Sequence, residues 1–460
     1  MAVSKADRDR RVVAYYCTGH GLGHATRVIE VARELIRAAE IQVVVCSSLP
    51  DALFIQEFAK DVLLGRFRYR KIEPLDCGGI QRDAFRVEPV ASLETYWSLC
   101  GSAEARREKI AREKTWLESN RVRFVLSDTV PVALRCASEC GIPSAVVSNL
   151  SWDFIYGQFL KMPEVAESGS RDRYAAMVED IVEDYKCATF LFRLPGAHPM
   201  PAFDGIEPTL SARGLLAGRG GPWDSLVELF MAVEREVREE IDTSSSEDGD
   251  VRRGREIDAS SSEDGDVPHS KVFEMPFVVR GARTSREEVR RNLGVLPDAK
   301  LLVLMLGGLS GDASWSVDGD DTLPAGWVCG VTAPAWPEGA GLGDRFFRLP
   351  HDAYLPDIIL ASDAVIGKIG YGSVSECVSL QKPLIFVPRA NFAEEGFLRL
   401  ILEETWGGVE LSRDFFEAGR WREAVERAAA MRPQGTGERN DGGEKCALAV
   451  LAYMDCKTSF

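Results

Sequence analysis

The chain has 460 residues, 45% hydrophobic and 27% charged, enough for two or three domains with buried cores. A net charge of −16 without any basic stripe excludes a nucleic-acid backbone as the main partner. No apolar run reaches the roughly 20 residues that span a bilayer, the N-terminus MAVSKADRDRR has no signal-peptide core, and eleven cysteines fall without CxxC or Cys/His spacing, so a cytoplasmic protein with reduced thiols is expected.

Short apolar strands alternate with helical patterns, the signature of a parallel sheet flanked by helices. The first strand is VVAYYC (Val12–Cys17), followed by a glycine-rich turn and a helix from about Thr26 to Ala39. In that helix Val28, Val31, Ala32, Leu35 and Ile36 recur at helical spacing, and Arg27, Glu30, Glu34 and Arg37 line a polar face. Strand IQVVVC (Ile41–Cys46) comes next, then strand FVLS (Phe124–Ser127), a helix over Val130–Glu139 and strand SAVVS (Ser144–Ser148). This half is expected to close near Phe203. Between the halves EIDTSSSEDGDV recurs as EIDASSSEDGDV with a 16-residue period, and ten acids against three arginines give Glu240–Val267 a charge of −7. With no aromatic residue to bury, it reads as a disordered acidic spacer whose serines could accept phosphate.

A second series starts near Phe273: strand LLVLML (Leu301–Leu306), a short strand at Trp327–Gly330, a helix around Leu355–Ser362 and strand AVIG (Ala364–Gly367). Then come helix Ser373–Leu380, strand LIFVP (Leu384–Pro388) and helices near Glu394–Glu403 and Arg420–Met431. The expected architecture is α/β, two doubly wound Rossmann-like domains facing a cleft. Their spans are 10–203 and 272–435, with the acidic insert at 204–271 and a C-terminal helix and tail at 436–460. Ligands in such sheets bind beyond the carboxyl ends of the strands, so the turns after Cys17, Leu306 and Gly367 are the places to search.

The first turn reads TGHGLGHATR; Gly19, Gly21 and Gly23 let backbone approach a ligand, and the following helix aims its N-terminal dipole at the same cleft. It is not the GxGxxG dinucleotide fingerprint. His20 and His24, two of five histidines, are suited to general base work, since an imidazole titrates near pH 6.5; either could instead cap the helix. No carboxylate or cysteine beside them completes a metal set. Asp128 ends a strand and could orient a histidine, although capping the next helix, with Thr129 competing, is the favoured reading. Trp152 and Asp153 lie beyond another strand end, where packing is the commoner role.

The second-half constellation is IGKIGYGSVSECVSL. Lys368, Gly370 and Gly372 form a loop, Ser373 opens a helix, and these with the helix N-terminus make a cradle for a diphosphate. Glu376, one turn in, can accept two ribose hydroxyls. GGLSGD (Gly307–Asp312) could add backbone donors, while the Walker sequence GxxxxGK[ST] is absent.

These stretches resemble the GT-B superfamily of nucleotide-sugar glycosyltransferases, most closely the glycosyltransferase-like N-terminal region of plant-type L-arabinokinases. The resemblance rests on VVAYYCTGHGLGHATRVIEV, SDTVPVALRCASECGIPSAVVSNLSWDFIY, FRLPGAHPMPAF, DAYLPDIILASDAVIGKIGYGSVSECVS and AEEGFLRLILEETWGGVELSRDFF. It implies that Gly370, Ser373 and Glu376 hold the diphosphate and ribose of a uridine nucleotide, with Gly307, Gly308 and Ser310 approaching the phosphates. His20 or His24 would deprotonate the acceptor. Glu394 or Glu395 would stand in for the acid–glutamine pair that holds the donor sugar. Family kinase activity resides in a separate GHMP-type domain, which is not expected in a chain stopping at Phe460. The expected function is a metal-independent transfer from a UDP-sugar to a small acceptor, with no further cofactor. The alternatives are UDP-sugar hydrolysis and a non-catalytic nucleotide-sugar-binding module, or truncated arabinokinase.

Overall fold

A computed structural model describes residues 10–206, 271–307, 315–337, 342–437 and 439–458. The acidic repeat, Gly308 and Ser310 lie outside the described residues.

Two parallel sheets form the frame. In the first, strands β1 (Arg11–Cys17), β2 (Ile41–Ser47), β3 (Phe67–Lys71), β4 (Val122–Asp128), β5 (Ser144–Ser148), β6 (Phe190–Arg193) and β7 (Lys271–Glu274) lie in the order β3-β2-β1-β4-β5-β6-β7. The second contains β8 (Lys300–Met305), β9 (Trp327–Val331), β10 (Phe346–Arg348), β11 (Ala364–Lys368), β12 (Leu384–Val387) and β13 (Gly408–Glu410), ordered β10-β9-β8-β11-β12-β13. The central strands are apolar on both faces because helices cover both: Val13 to Tyr16 and Leu301 to Leu304 are fully buried. The helices that matter here are α1 (Leu22–Ala38), α2 (Ala103–Ser119), α3 (Pro131–Glu139), α4 (Trp152–Phe159), α5 (Arg171–Lys186), α6 (Leu355–Ala361), α7 (Tyr371–Ser379), α8 (Glu395–Glu404) and α9 (Gly442–Thr458). Each sheet reverses its winding at one point, between β1 and β4 and between β8 and β11. Those crevices are where an open α/β sheet receives ligand.

One boundary differs from the sequence division. Residues 272–274, assigned there to the second half, complete the first sheet: β7 pairs in parallel with β6, Leu191 opposite Val272 and Phe192 opposite Phe273. The run after the insert therefore finishes the old unit before the new one starts. Helix α9, inside the expected C-terminal segment 436–460, crosses back to the first half and packs along α1, with Tyr453 edge-on to Phe124 and Phe190 at 6.0 and 5.0 Å. Its nearly continuous apolar stretch, Cys446 to Met454, is buried against the first half's core.

The halves touch directly. Ala390 donates its N–H to the Phe85 carbonyl (2.9 Å), Arg283 pairs with Glu57 (2.6 Å) and Phe85 meets Phe416 edge-on at 5.6 Å. No helix among the described residues is long and apolar enough to cross a membrane.

Candidate active site between two glycine turns

The turn after β1 and the turn after β11 face each other at contact distance. A Cβ placed on Gly372 would lie 3.7 Å from the Gly23 Cα, and one placed on Gly23 would lie 3.9 Å from the Gly372 nitrogen. Both following helices begin earlier than the sequence suggests, α1 at Leu22 and α7 at Tyr371, with Gly21 and Gly370 as N-caps that supply no side-chain acceptor. Gly21 turns the chain at φ 84°, a left-handed conformation that glycine adopts without strain. Free N–H groups of two helix ends thus point into one narrow space.

The earlier start of α1 moves His24 from the turn into the helix's first turn and separates the roles of the two histidines. His24 Nδ1 lies 3.0 Å from Asp128 Oδ1, at the end of β4. Asp128 is fully buried and does not cap α3, whose N-cap is Val130; the Val130 N–H goes to the Ser127 hydroxyl (2.9 Å) instead. Its carboxylate is held by Arg27, Nε to Oδ2 at 2.9 Å and Nη2 to Oδ1 at 2.5 Å. Burial alone would raise the Asp128 pKa; the charge of Arg27, helped by His24, overrides it and holds the carboxyl below its ordinary range. Arg27 was expected on a polar face, yet it is 2% exposed. It also donates to Asn149 Oδ1 (2.8 Å), and its guanidinium sits 5.2 Å from the Tyr371 ring of the opposite turn. Arg27 follows His24 by three residues, so the two share a helix face; that spacing was the available signal.

His20 stays on the turn. Its backbone N–H donates to the Thr18 hydroxyl (3.2 Å), which donates to Asp76 Oδ1 (2.7 Å). The ring lies edge-on to Trp152 at 5.8 Å and 6.3 Å from His24, with the Gln81 amide 3.4 Å from Nε2. Burial, then His24, Lys368 and Arg389, lowers its pKa to about 3, so the ring is neutral near pH 7. Burial raises the Asp76 carboxyl to about 7 against the opposing Thr18 bond. Trp152 is buried and stacked on Tyr156 at 5.5 Å; Asp153 accepts the N–H groups of Phe154 and Ala202, a packing role. A Cβ on Gly78, already at φ 60°, would come within 2.2 Å of the His20 ring. Gly78→Ala is therefore expected to displace that ring and destabilise the fold by about 1–3 kcal/mol. Chemical denaturation checks this: an unchanged midpoint would mean that the turn yields freely.

On the second half Lys368 ends β11 with its ammonium beside Gly307, where a Cβ would lie 3.5 Å from Nζ. It has no ion pair among the described residues. Burial and the charge of Arg389, partly offset by Glu394, lower its pKa to about 8. Ser373 falls in the first turn of α7, its hydroxyl without a partner among the described residues. Glu376 is 5% exposed and carries an ion pair with Arg280, Nη2 to Oε1 at 2.8 Å. Of the two acids expected on a donor sugar, Glu395 is locked onto Arg389, at 3.1 Å from Nε and 3.2 Å from the backbone N–H. Arg389 is 3% exposed, so it requires this counter-charge. Glu394 meets it only at 3.4 Å and keeps 15% exposure.

The fold matches solved glycosyltransferases along nearly the whole chain. Arabidopsis thaliana UGT89C1, solved with quercetin, aligns with TM-score 0.52 at 13% identity over 96% of this chain and 94% of its own. Phytolacca americana UGT2, solved with UDP-2fluoro-glucose and pterostilbene, aligns with TM-score 0.52 at 12% identity over 99% and 95%. The chain has the GT-B glycosyltransferase fold. In this GT-B chain the sequence is 38% identical over 436 residues to L-arabinokinase of Arabidopsis thaliana, covering 95% of the chain. It spans only 34% of that curated relative's length. No family model matches the chain.

Proposed function

We propose that the chain binds a uridine nucleotide sugar in the cleft beside the two glycine turns and transfers the sugar to a small hydroxylated acceptor. The observation that carries this reading is the Lys368 ammonium, without an ion pair among the described residues, beside the uncapped N-terminus of α7 and facing a histidine-bearing turn. A diphosphate supplies the negative charge that such a place favours. The uridine part rests on the fold neighbours, one of which was solved with UDP-2fluoro-glucose.

His24 fits the base better than His20. With its proton on Nδ1 donated to Asp128, its Nε2 lone pair is left to accept the acceptor's hydroxyl proton. The acceptor oxygen then bonds to the anomeric carbon, the bond from that carbon to the β-phosphate oxygen breaks, and the electron pair leaves with the diphosphate. Lys368 and the α7 amides stabilise that charge where it grows. His20, kept neutral, offers hydrogen bonds to the acceptor. In this reading Glu394 takes the donor-sugar hydroxyl.

The test is UDP release from a panel of UDP-sugars with and without acceptors; release only with acceptor supports transfer, and release without one supports hydrolysis. A second reading, binding without turnover, is favoured by Arg27, which engages both Asp128 oxygens and comes 2.8 Å from His24 Nδ1. UDP binding with no release under any condition would select it.

Affinity for UDP is expected to fall as pH rises through about 8, because Lys368 must be protonated to hold the diphosphate. Lys368→Arg should flatten that decline, since a guanidinium stays charged. Titration calorimetry at several pH values checks it, and an equal decline in both proteins would remove Lys368 from the site.

A further inference from the structure

The carboxylate assigned to the ribose is not free-standing. Glu376 lies on α7 three residues after Ser373, hence on the same helix face, and its side chain is almost wholly buried. Burial pushes its pKa upward, and Arg280 opposes that shift. The contact is one-sided. Arg280 Nη2 and Nε both address Oε1, at 2.8 and 3.2 Å, and Oε2 has no partner among the described residues.

Arg280 does not belong to the second sheet. It sits on the segment that leaves β7 of the first sheet and leads into the second half, and the second half pins that segment on both sides of it. Val278 donates its N–H to the Tyr371 hydroxyl (3.1 Å), the Tyr354 hydroxyl donates to the Gly281 carbonyl (3.1 Å), and Asp357 Oδ1 accepts the Arg283 and Thr284 N–H groups at 2.5 and 3.1 Å. The Arg280 and Arg283 guanidinium groups lie 5.2 and 3.8 Å from the Tyr354 ring. The guanidinium is therefore fixed before any ligand arrives.

We propose that Arg280 is a positioning residue for nucleotide recognition: it occupies one Glu376 oxygen, fixes the orientation of the carboxylate, and leaves Oε2 to accept the ribose hydroxyls. This deepens the nucleotide-sugar reading and rests on it. The interdomain connector then contributes to the selection of ribose over deoxyribose. A neutral carboxyl in the same place would lose a charge-assisted acceptor.

The measurement is the affinity of the full chain for UDP and for 2′-deoxy-UDP by calorimetry. Wild type is expected to prefer UDP by about ten- to hundredfold, the range of a hydrogen bond to a charged acceptor. Arg280→Ala and Glu376→Gln should bring the preference below about threefold, and Arg280→Lys should keep most of it. A general packing defect would weaken both ligands alike and leave the ratio intact. Retention of the ratio in Arg280→Ala overturns the proposal, as does tighter UDP binding by that variant, which would mean the arginine fills the ribose place. Failure of wild type to bind either nucleotide would overturn the nucleotide reading itself, and this inference with it.

Discussion

Asp128→Ala is expected to destabilise the protein by about 3–5 kcal/mol, the usual loss when one partner of a buried ion pair is removed. The alanine would leave the Arg27 guanidinium, itself 2% exposed, with neutral acceptors among the described residues, the Asn149 and Ser148 oxygens and His24 Nδ1. Those neutral partners cannot neutralise a charge that has been taken out of water. Replacing Arg27 with Met in the same molecule should recover most of the loss, because it removes the stranded charge and fills the volume. Urea denaturation of the single and double variants measures this. A loss under about 1 kcal/mol for Asp128→Ala would show that the network is wet and loosely held.

His24→Ala should lower turnover by about 10²–10⁴, the usual contribution of a positioned general base, while UDP binds as before. His20→Ala should act chiefly on the acceptor's KM, because burial and the facing cations keep that ring neutral and at about 3 a poor base. Steady-state kinetics on both variants separates the two. Equal kcat losses, or a larger loss for His20→Ala, would reverse the assignment.

Much of the frame was legible because doubly buried strands show as unbroken apolar runs: VVAYYC, LLVLML and LIFVP are all central strands. The glycine turns were legible because a crowded backbone crossing requires glycine, whereas both helices after them begin before their apolar pattern shows. Charge pairing was not. Arg27 has the helical spacing of a solvated residue, and only the fold brings Asp128 to it from 101 residues away. Glu395 is taken up by Arg389, six residues earlier, which folds back on it. Glu376 gained its partner from the connector, 96 residues away. Such pairings depend on which strands lie adjacent, and local periodicity carries no record of that. The boundary error at 272 has the same origin, because a four-residue strand can join either sheet and its register with β6 decides.

The central claim is that a nucleotide's diphosphate is gripped by Lys368 and the head of α7. Calorimetric titration of UDP into wild type, Lys368→Met and Lys368→Met/Ser373→Ala tests it most directly. The expected result is saturable binding by wild type, about tenfold or more weaker in the single variant, as for loss of a charge-assisted bond, and weaker still in the double. Equal affinity in all three proteins, or no binding of UDP by wild type, would contradict it.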